Sequence, residues 1–289
     1  MILLYAFFVL TFLNAFKDIA IKQGLKGVSS GAMTAITSFV LIVVCIPMVI
    51  HDGIPSHIEP SFLWMVLGGG IFYYFGKFFN FTALSLGDIS LIAPMKGLVS
   101  ISVIFSSLLL LGEGVSLAGG IGIFLIFFGT YLLALEKTHT NPLAPIRALL
   151  ENPGSRIYLL SVFFYGFTVT FDRMGVQGSS VWIWALAMNV IMFLMSIPDM
   201  YRERKTILGH LKHFWKILSL ILVLHVFIYL SQMYVVSEVI APYTSAFKAA
   251  SALFAVMFGG WFFREKDLMK RFLCAVVIFL GVLCVWFFG

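Results

Sequence analysis

Two lysines, Lys96 and Lys248, lie inside long apolar stretches. A charged side chain within a membrane-spanning helix costs about 2.5–3.5 kcal/mol on the translocon-insertion scale, so such residues usually face a polar interior and serve a function. Each lysine lies about seven residues, or roughly 10 Å, inside its predicted helix. Together they could neutralise an anionic group on a small molecule. The alternative is structural: Asp18 and Asp172 pair with the lysines and lock the helices. A lysine released from Asp by a ligand would combine both roles as a gate.

The two aspartates lie near the ends of their apolar stretches, next to Lys17 and Arg173. Carboxylates inside a membrane often carry protons or cations. Near the membrane surface, however, pairing of Asp18 with Lys22, or of Asp172 with Arg173, is the simpler interpretation. We therefore predict a gating or ion-pair role for Asp18 and Asp172.

Polar side chains at matching positions of two other apolar stretches form a second set. In each stretch they fall at positions i, i+4 and i+7, a spacing that puts them on one face of a helix. Such a face could line a polar cavity with aromatic walls and contact a substrate. The residues are Tyr73, Lys77 and Asn80 in one stretch and His225, Tyr229 and Gln232 in the other. For Lys77 the alternative is that its long side chain reaches the inner membrane surface.

For the remaining ionisable residues we expect structural roles or exposure to solvent. Glu113 and Glu265 each end an apolar stretch, where capping or bridging at the membrane surface is expected. The His, Asp and Glu residues of the segment 51–60 do not have a known metal-ligand spacing. The three cysteines lie inside apolar stretches, which is typical of small core residues. We therefore expect no metal site and no cofactor.

The elements that must hold these residues are apolar helices. Of the 289 residues, 61% are hydrophobic and 11% are charged, whereas a soluble domain has about 25% charged residues. This composition excludes a water-facing globular protein, and the net charge of +6 then reflects membrane orientation rather than nucleic-acid binding. About 20 helical residues cross a bilayer core of about 30 Å. Ten stretches have this length: 2–22, 31–50, 61–82, 89–111, 116–135, 157–175, 180–198, 214–236, 242–262 and 268–288.

Lys and Arg are distributed unevenly between these stretches. They cluster in the connections after odd-numbered stretches, within 22–26, 136–156, 199–216 and 264–271. The connections after even-numbered stretches contain none, unless Arg173 at the end of the sixth stretch is counted. Cytoplasmic loops of membrane proteins are enriched in Lys and Arg. The odd-numbered connections are therefore predicted to be cytoplasmic, and both termini to face outside, in a plasma or inner membrane.

Several landmarks recur 152 residues apart. The pairs are Asn80 and Gln232, Lys96 and Lys248, Glu113 and Glu265, and Gly129 and Gly281. They predict an all-α membrane protein of ten transmembrane helices, built as two five-helix repeats, 1–135 and 157–289, around a cytoplasmic linker, 136–156. Because five is an odd number, the second repeat is inverted in the membrane. The equivalent loops 51–60 and 199–213 have opposite charge bias, as inversion requires.

These motifs resemble the drug/metabolite transporter superfamily in its ten-span, EamA-type form. The residues that carry the resemblance are Pro94, Leu111-Gly112-Glu113, the glycine-rich stretch 119–129, Arg264-Glu265 and Phe279-Leu280-Gly281. The resemblance covers the whole chain. It implies the fold, a substrate cavity between the halves, and alternating access. It does not imply one substrate, because the superfamily carries amino acids, drugs, sugars, nucleotide sugars and phosphorylated metabolites.

Two features depart from the general pattern of the superfamily. Ala246 occupies the position in the second half that corresponds to Pro94. Lysines in the fourth and ninth spans are not general features either. They resemble those of relatives that carry phosphorylated sugars and nucleotide sugars, in which a lysine of the ninth span meets phosphate.

The expected function is secondary transport of a small anionic metabolite, bearing phosphate or carboxylate, or of a lipid headgroup. The alternatives are an exporter of amino acids or aromatic drugs and, more remotely, a membrane-embedded enzyme acting on lipids. The enzyme is disfavoured because no catalytic cluster converges in the sequence. The expected partners are the small-molecule substrate and membrane lipid, without nucleic acid. The sequence leaves open whether transport is coupled to protons or to a counter-substrate. It also leaves open whether the protein forms a homodimer.

Overall fold

The described residues form α-helices joined by short connections and contain no strand. The structure is a computed structural model and describes residues 12–14, 16–17, 20–21, 29–86, 89–135, 151–203, 215–249 and 268–288. The helices with assigned bounds are α1 (Ser30–Asp52), α2 (Phe62–Leu86), α3 (Ile89–Leu111), α4 (Leu117–Leu135), α5 (Pro153–Gln177), α6 (Val181–Glu203), α7 (Trp215–Glu238), α8 (Ala241–Ala249) and α9 (Leu268–Phe288). The described residues of the first predicted span are also helical.

The bounds of α1 to α7 and of α9 follow the predicted stretches to within a few residues. Local chemistry explains several ends. The Ser29 side chain accepts a hydrogen bond from the backbone N–H of Ala32 and caps the start of α1. Gly53, with φ +76°, follows the last residue of this helix and ends it. Asn152 accepts the N–H of Ser155 in the same way at the start of α5. Most of the first predicted span, and the ninth beyond residue 249, lie outside the described residues.

Four helices, α1, α2, α6 and α7, are long and apolar enough to cross a membrane. The described structure adds shorter apolar helical stretches, Met95–Leu111, Leu117–Gly129 and Val276–Val285. Large apolar side chains also point outward, and Trp64 is 76% exposed. Extensive exposed apolar surface is unfavourable in water. The helices therefore present their outer faces to lipid.

Helices α4 and α9 pack with their backbones in contact. A Cβ atom on Gly122 would lie 2.7 Å from the carbonyl oxygen of Gly281, and one on Gly129 would lie 3.3 Å from that of Cys274. Positions rise along α4 as they fall along α9, so the two helices are antiparallel. Glycine is required at this crossing because a side chain would separate the backbones.

Aromatic side chains fill the interface between α2 and α5. Phe72 of α2 stacks on Phe167 of α5 with ring centroids 4.9 Å apart, and it also contacts Phe171 at 5.9 Å. Gly76, one turn further along α2, leaves room for Tyr165. This interface fixes the helix faces that carry Lys77 and Asp172.

Candidate functional site: a lysine-rich cavity

A cavity of about 110 Å³ lies between the first predicted span, α2, α3, α5, α7 and α8. Its walls combine cations, amides, hydroxyls and aromatic rings, whereas the helix surfaces outside are apolar. The lining residues are Asn14, Lys17, Ile21, Tyr73, Lys77, Asn80, Phe81, Lys96, Val99, Tyr158, Tyr165, Thr168, Val169, Asp172, His225, Ile228, Tyr229, Gln232, Ser245 and Lys248.

The structure brings together the eight side chains that the sequence analysis singled out for substrate contact. They are Tyr73, Lys77, Asn80, Lys96, His225, Tyr229, Gln232 and Lys248. Asp172 lines the same cavity. Asp18 and Glu265 lie outside the described residues.

Lys77 is buried within this wall and does not reach a membrane surface, because its side chain is only 2% exposed. Its Nζ donates to the Thr37 hydroxyl at 2.6 Å and lies 3.3 Å from Nε2 of His225. The rings of Tyr73 and Phe81 lie 6.0 and 5.8 Å from Nζ, within the range of a cation–π contact. The alternative that Lys77 extends to the inner surface is therefore wrong.

Asp172 is held by two side chains of the second half. Oδ1 accepts a hydrogen bond from the Trp184 indole at 2.9 Å, and Oδ2 accepts one from the Gln232 amide at 3.5 Å. The carboxylate is 1% exposed. These donors allow a buried carboxylate to persist.

Arg173, the next residue, turns to a different part of the molecule. Its Nε lies 3.2 Å from Oε1 of Glu113, and its Nη1 donates to the carbonyl oxygens of Val236 and Ser237 at 2.8 and 3.0 Å. Adjacent helical residues point about 100° apart. The expected local pair between Asp172 and Arg173 is therefore wrong, and the ion pair instead joins α5 to the α3–α4 connection.

We expect Glu113→Gln to lower the free energy of unfolding by about 1–3 kcal/mol, because it leaves a buried guanidinium without its carboxylate. The side chains of Arg173 and Glu113 are only 11% and 22% exposed. Thermal unfolding of purified protein measures the effect, and substrate affinity should not change. Arg202→Gln is the matched control, because Arg202 is 80% exposed in its pair with Asp199 and should contribute less than about 1 kcal/mol. Lost substrate binding with unchanged stability would instead place Glu113 in the transport mechanism.

Several lining residues were missed from the sequence. On α5, Tyr158, Tyr165 and Thr168 line the cavity at helical spacing from Asp172, which the sequence had indicated. This polar stripe was a readable signal. Lys17 lines the cavity too, and the sequence analysis gave it no role of its own.

The ionisable side chains of the segment 51–60 form two close pairs. His51 Nδ1 contacts Asp52 Oδ1 at 2.7 Å, and His57 Nε2 lies 3.7 Å from Glu59 Oε1. These side chains are between 49% and 84% exposed. Within the described ranges no group of three His, Cys, Asp or Glu side chains could hold a metal ion.

Apolar helices around a buried polar cavity define a multi-pass membrane protein. The EamA-like transporter family matches the chain over residues 1–135 and 153–287, so the chain belongs to that family. It is therefore a membrane transporter of small molecules, and the resemblance to the superfamily is confirmed at that level.

Solved structures share the fold. Matches extend to 28 chains. One of them, described only as "Crystal structure of protein", superposes with a TM-score of 0.61 over 97% of this chain and 99% of that chain, at 16% identity. At this identity the likeness establishes the fold alone. No curated protein matches the chain.

Proposed function

We propose that this protein is a secondary transporter of a small anionic metabolite, bearing phosphate or carboxylate, or of a lipid headgroup. The observation that carries the proposal is that Lys96 and Lys248, equivalent positions of the two halves, line one cavity. Lys17 and Lys77 line it as well, and Asp172 is the one carboxylate among the described lining residues. A cavity with this charge favours an anion.

The proposed architecture is ten spans in two inverted repeats: residues 1–135 and 157–289 around the linker 136–156. Equivalent helices of a two-fold repeat form reciprocal contacts. Gly122 meets Gly281, and the contact related by 152 residues, Gly129 to Cys274, is also present.

Helix direction supports inversion rather than an axis along the membrane normal. α4 and α9 are equivalent in the proposed repeats and run antiparallel. α1 and α6 are equivalent too, and Phe39 of α1 contacts Phe193 of α6 at 5.7 Å, whereas Gly31 lies against Asp199. That pair is therefore antiparallel as well. An axis along the normal would make equivalent helices parallel.

Alternating access follows from where the proposed site lies. The cavity is lined by three elements of each half: the first span, α2 and α3, and α5, α7 and α8. Rocking one half against the other would expose the site to each side in turn. Lys248 of α8 and Asp172 of α5 line the same cavity, so a substrate anion could draw Lys248 away from Asp172 and couple occupancy to movement.

Ligand-induced thermal stabilisation tests the substrate class. Phosphorylated sugars, dicarboxylates, amino acids and organic cations are compared on the purified protein. A ligand at 100 times its Kd stabilises the folded state by about 2.7 kcal/mol. Stabilisation by anions supports the proposal, and stabilisation by cations alone contradicts it.

A second candidate is an exporter of amino acids or aromatic drugs, favoured by the tyrosine walls. The rings of Tyr73 and Tyr229 stack at 6.0 Å with an angle of 8° between their planes, and Tyr165 lies 6.3 Å from Tyr73. Aromatic surfaces of this kind suit a flat or cationic solute. The thermal comparison separates the two candidates.

Topology is tested by labelling single cysteines in intact cells with an impermeant maleimide. His57→Cys is expected to react and Tyr201→Cys to be protected, because loops rich in Lys and Arg are cytoplasmic. The two sites are matched, since the His57 side chain is 78% exposed and Tyr201 is 64% exposed. The three native cysteines are replaced first. Labelling of position 201 alone would reverse the proposed orientation.

A further inference from the structure

A pair of basic groups is buried in the cavity wall. Lys77 is 2% exposed and His225 is 6% exposed, and Nζ lies 3.3 Å from Nε2. Throughout the described ranges no Asp or Glu oxygen lies within 4.0 Å of Nζ. A buried ammonium group without a carboxylate is costly. A negative charge that enters the cavity would lower this cost.

The hydrogen bonds limit how many protons the pair can hold. The single hydroxyl hydrogen of Thr37 points to a backbone carbonyl, that of Met33 at 2.8 Å or Thr34 at 3.0 Å. The hydroxyl oxygen therefore accepts from Lys77. Between Nζ and Nε2 there is room for one hydrogen, so an ammonium group faces a neutral imidazole, or an amine faces Nε2–H.

The charges around the pair oppose a second proton. Lys17 of the first span, Lys96 of α3 and Lys248 of α8 line the same cavity, and Asp172 of α5 is the carboxylate among the described lining residues. Like charges this close repel strongly where water does not screen them. The neighbouring hydroxyls of Tyr73, Tyr165 and Tyr229 are neutral near pH 7.

We propose that Lys77 and His225 form the proton-binding site of this transporter, which takes up one proton with each anionic substrate. This inference rests on the proposed function. When the anion enters, its negative charge offsets a second positive charge on the pair. A proton from water then binds Nε2 of His225, and the new N–H turns from Nζ towards the anion. When the anion leaves on the other side, the proton returns to water and the contact with Lys77 re-forms.

The scheme makes the protein a proton–anion symporter. Proton and anion bind the same conformation, because each lowers the energetic cost of the other. One proton per anion means that, with the membrane potential held at zero, a difference of one pH unit supports about tenfold accumulation of the anion. A purely structural hydrogen bond would give neither result.

The test uses the full chain in proteoliposomes, with a pH-sensitive dye inside and radiolabelled anions outside. The probes are succinate, glucose 6-phosphate and glycerol 3-phosphate, at a pH where each is fully ionised. The wild type is expected to bring in one proton per anion. Because both residues also line the substrate cavity, anion entry itself should slow in Lys77→Met and His225→Asn, and the readout is the proton-to-anion ratio of the remaining entry, which should fall at least tenfold. Lys216→Met is the control, because Lys216 is exposed, lies over the ring of Trp215 and does not line the cavity.

Each outcome decides a different point. Anion entry without protons in the wild type overturns this inference and leaves the proposed function standing. An unchanged ratio in both variants shows that the proton binds elsewhere. If none of the three anions moves, the proposed function fails for these classes and the inference fails with it. If the variants do not fold, the wild-type ratio still decides between coupled and uncoupled transport.

Discussion

Lys96→Gln and Lys248→Gln are each expected to weaken binding of the anionic substrate roughly 100-fold, about 3 kcal/mol, while the protein stays folded. Both side chains line the cavity and are partly buried, and a charge-assisted hydrogen bond is among the strong ones. Gln keeps much of the length of Lys but removes the charge. Affinity is measured by thermal stabilisation or calorimetry with the anion that the screen identifies.

The structural alternative predicts another pattern for the same variants. If Lys248 served only to neutralise Asp172, Lys248→Gln would leave a buried carboxylate uncompensated and destabilise the protein by about 3–5 kcal/mol. Adding Asp172→Asn would then restore both stability and transport. The corresponding pair in the first half is Lys96→Gln with Asp18→Asn. Recovery in these double variants would contradict substrate contact.

Two further variants sharpen the result. Lys96→Arg should be only partly tolerated, because the arginine side chain is longer than that of lysine and ends in a planar guanidinium group. Lys216→Gln provides the matched control, since it removes one cation from the exposed start of α7 and should leave affinity within about twofold. A preferred substrate that is cationic would contradict the anion proposal outright.

Much of this site could be predicted because the sequence repeats itself. Helical spacing put Tyr73, Lys77 and Asn80 on one face of α2, and all three line the cavity. The 152-residue spacing of Lys96 and Lys248 predicted that both would line one cavity, and both do. The helix positions followed from apolar length, because a bilayer demands it.

The partners of buried groups could not be predicted. Arg173 follows Asp172 in sequence, yet its guanidinium reaches Glu113 and the end of α7. Sequence proximity favoured a local pair, whereas helix geometry turns the two side chains apart. The Trp184 indole that holds Asp172 comes from α6, and only tertiary packing brings it there.

Lys77 shows the same limit in another form. Its charge and position on the helix left two destinations open, a cavity or the membrane surface. The buried position depends on two partners. Lys77 Nζ lies 2.6 Å from the hydroxyl oxygen of Thr37 in α1 and 3.3 Å from Nε2 of His225 in α7. Neither partner is close to Lys77 in sequence, so no local pattern could have selected the buried position.

The crossing of α4 and α9 should be the part of the fold most sensitive to a single side chain. A Cβ atom on Gly122 would lie 2.7 Å from Gly281 O, and one on Gly281 would lie 2.7 Å from Gly122 O. Backbone cannot move aside as a flexible side chain can. We expect Gly122→Ala or Gly281→Ala to cost about 1–3 kcal/mol, and Gly122→Leu to abolish folded protein, since native stability is only about 5–15 kcal/mol.

The measurement is monodisperse yield and thermal unfolding in detergent, with Gly120→Ala as the matched control. Gly120 lies on the same helix, and a Cβ atom there would meet nothing within 4 Å, so its replacement should leave stability unchanged or slightly higher, because Ala favours a helix. The double variant Gly122→Ala, Gly281→Ala should cost less than the two single costs together, because one separation of the helices relieves both clashes. Equal stability of the Gly120 and Gly122 variants would show that α4 and α9 do not cross at this point.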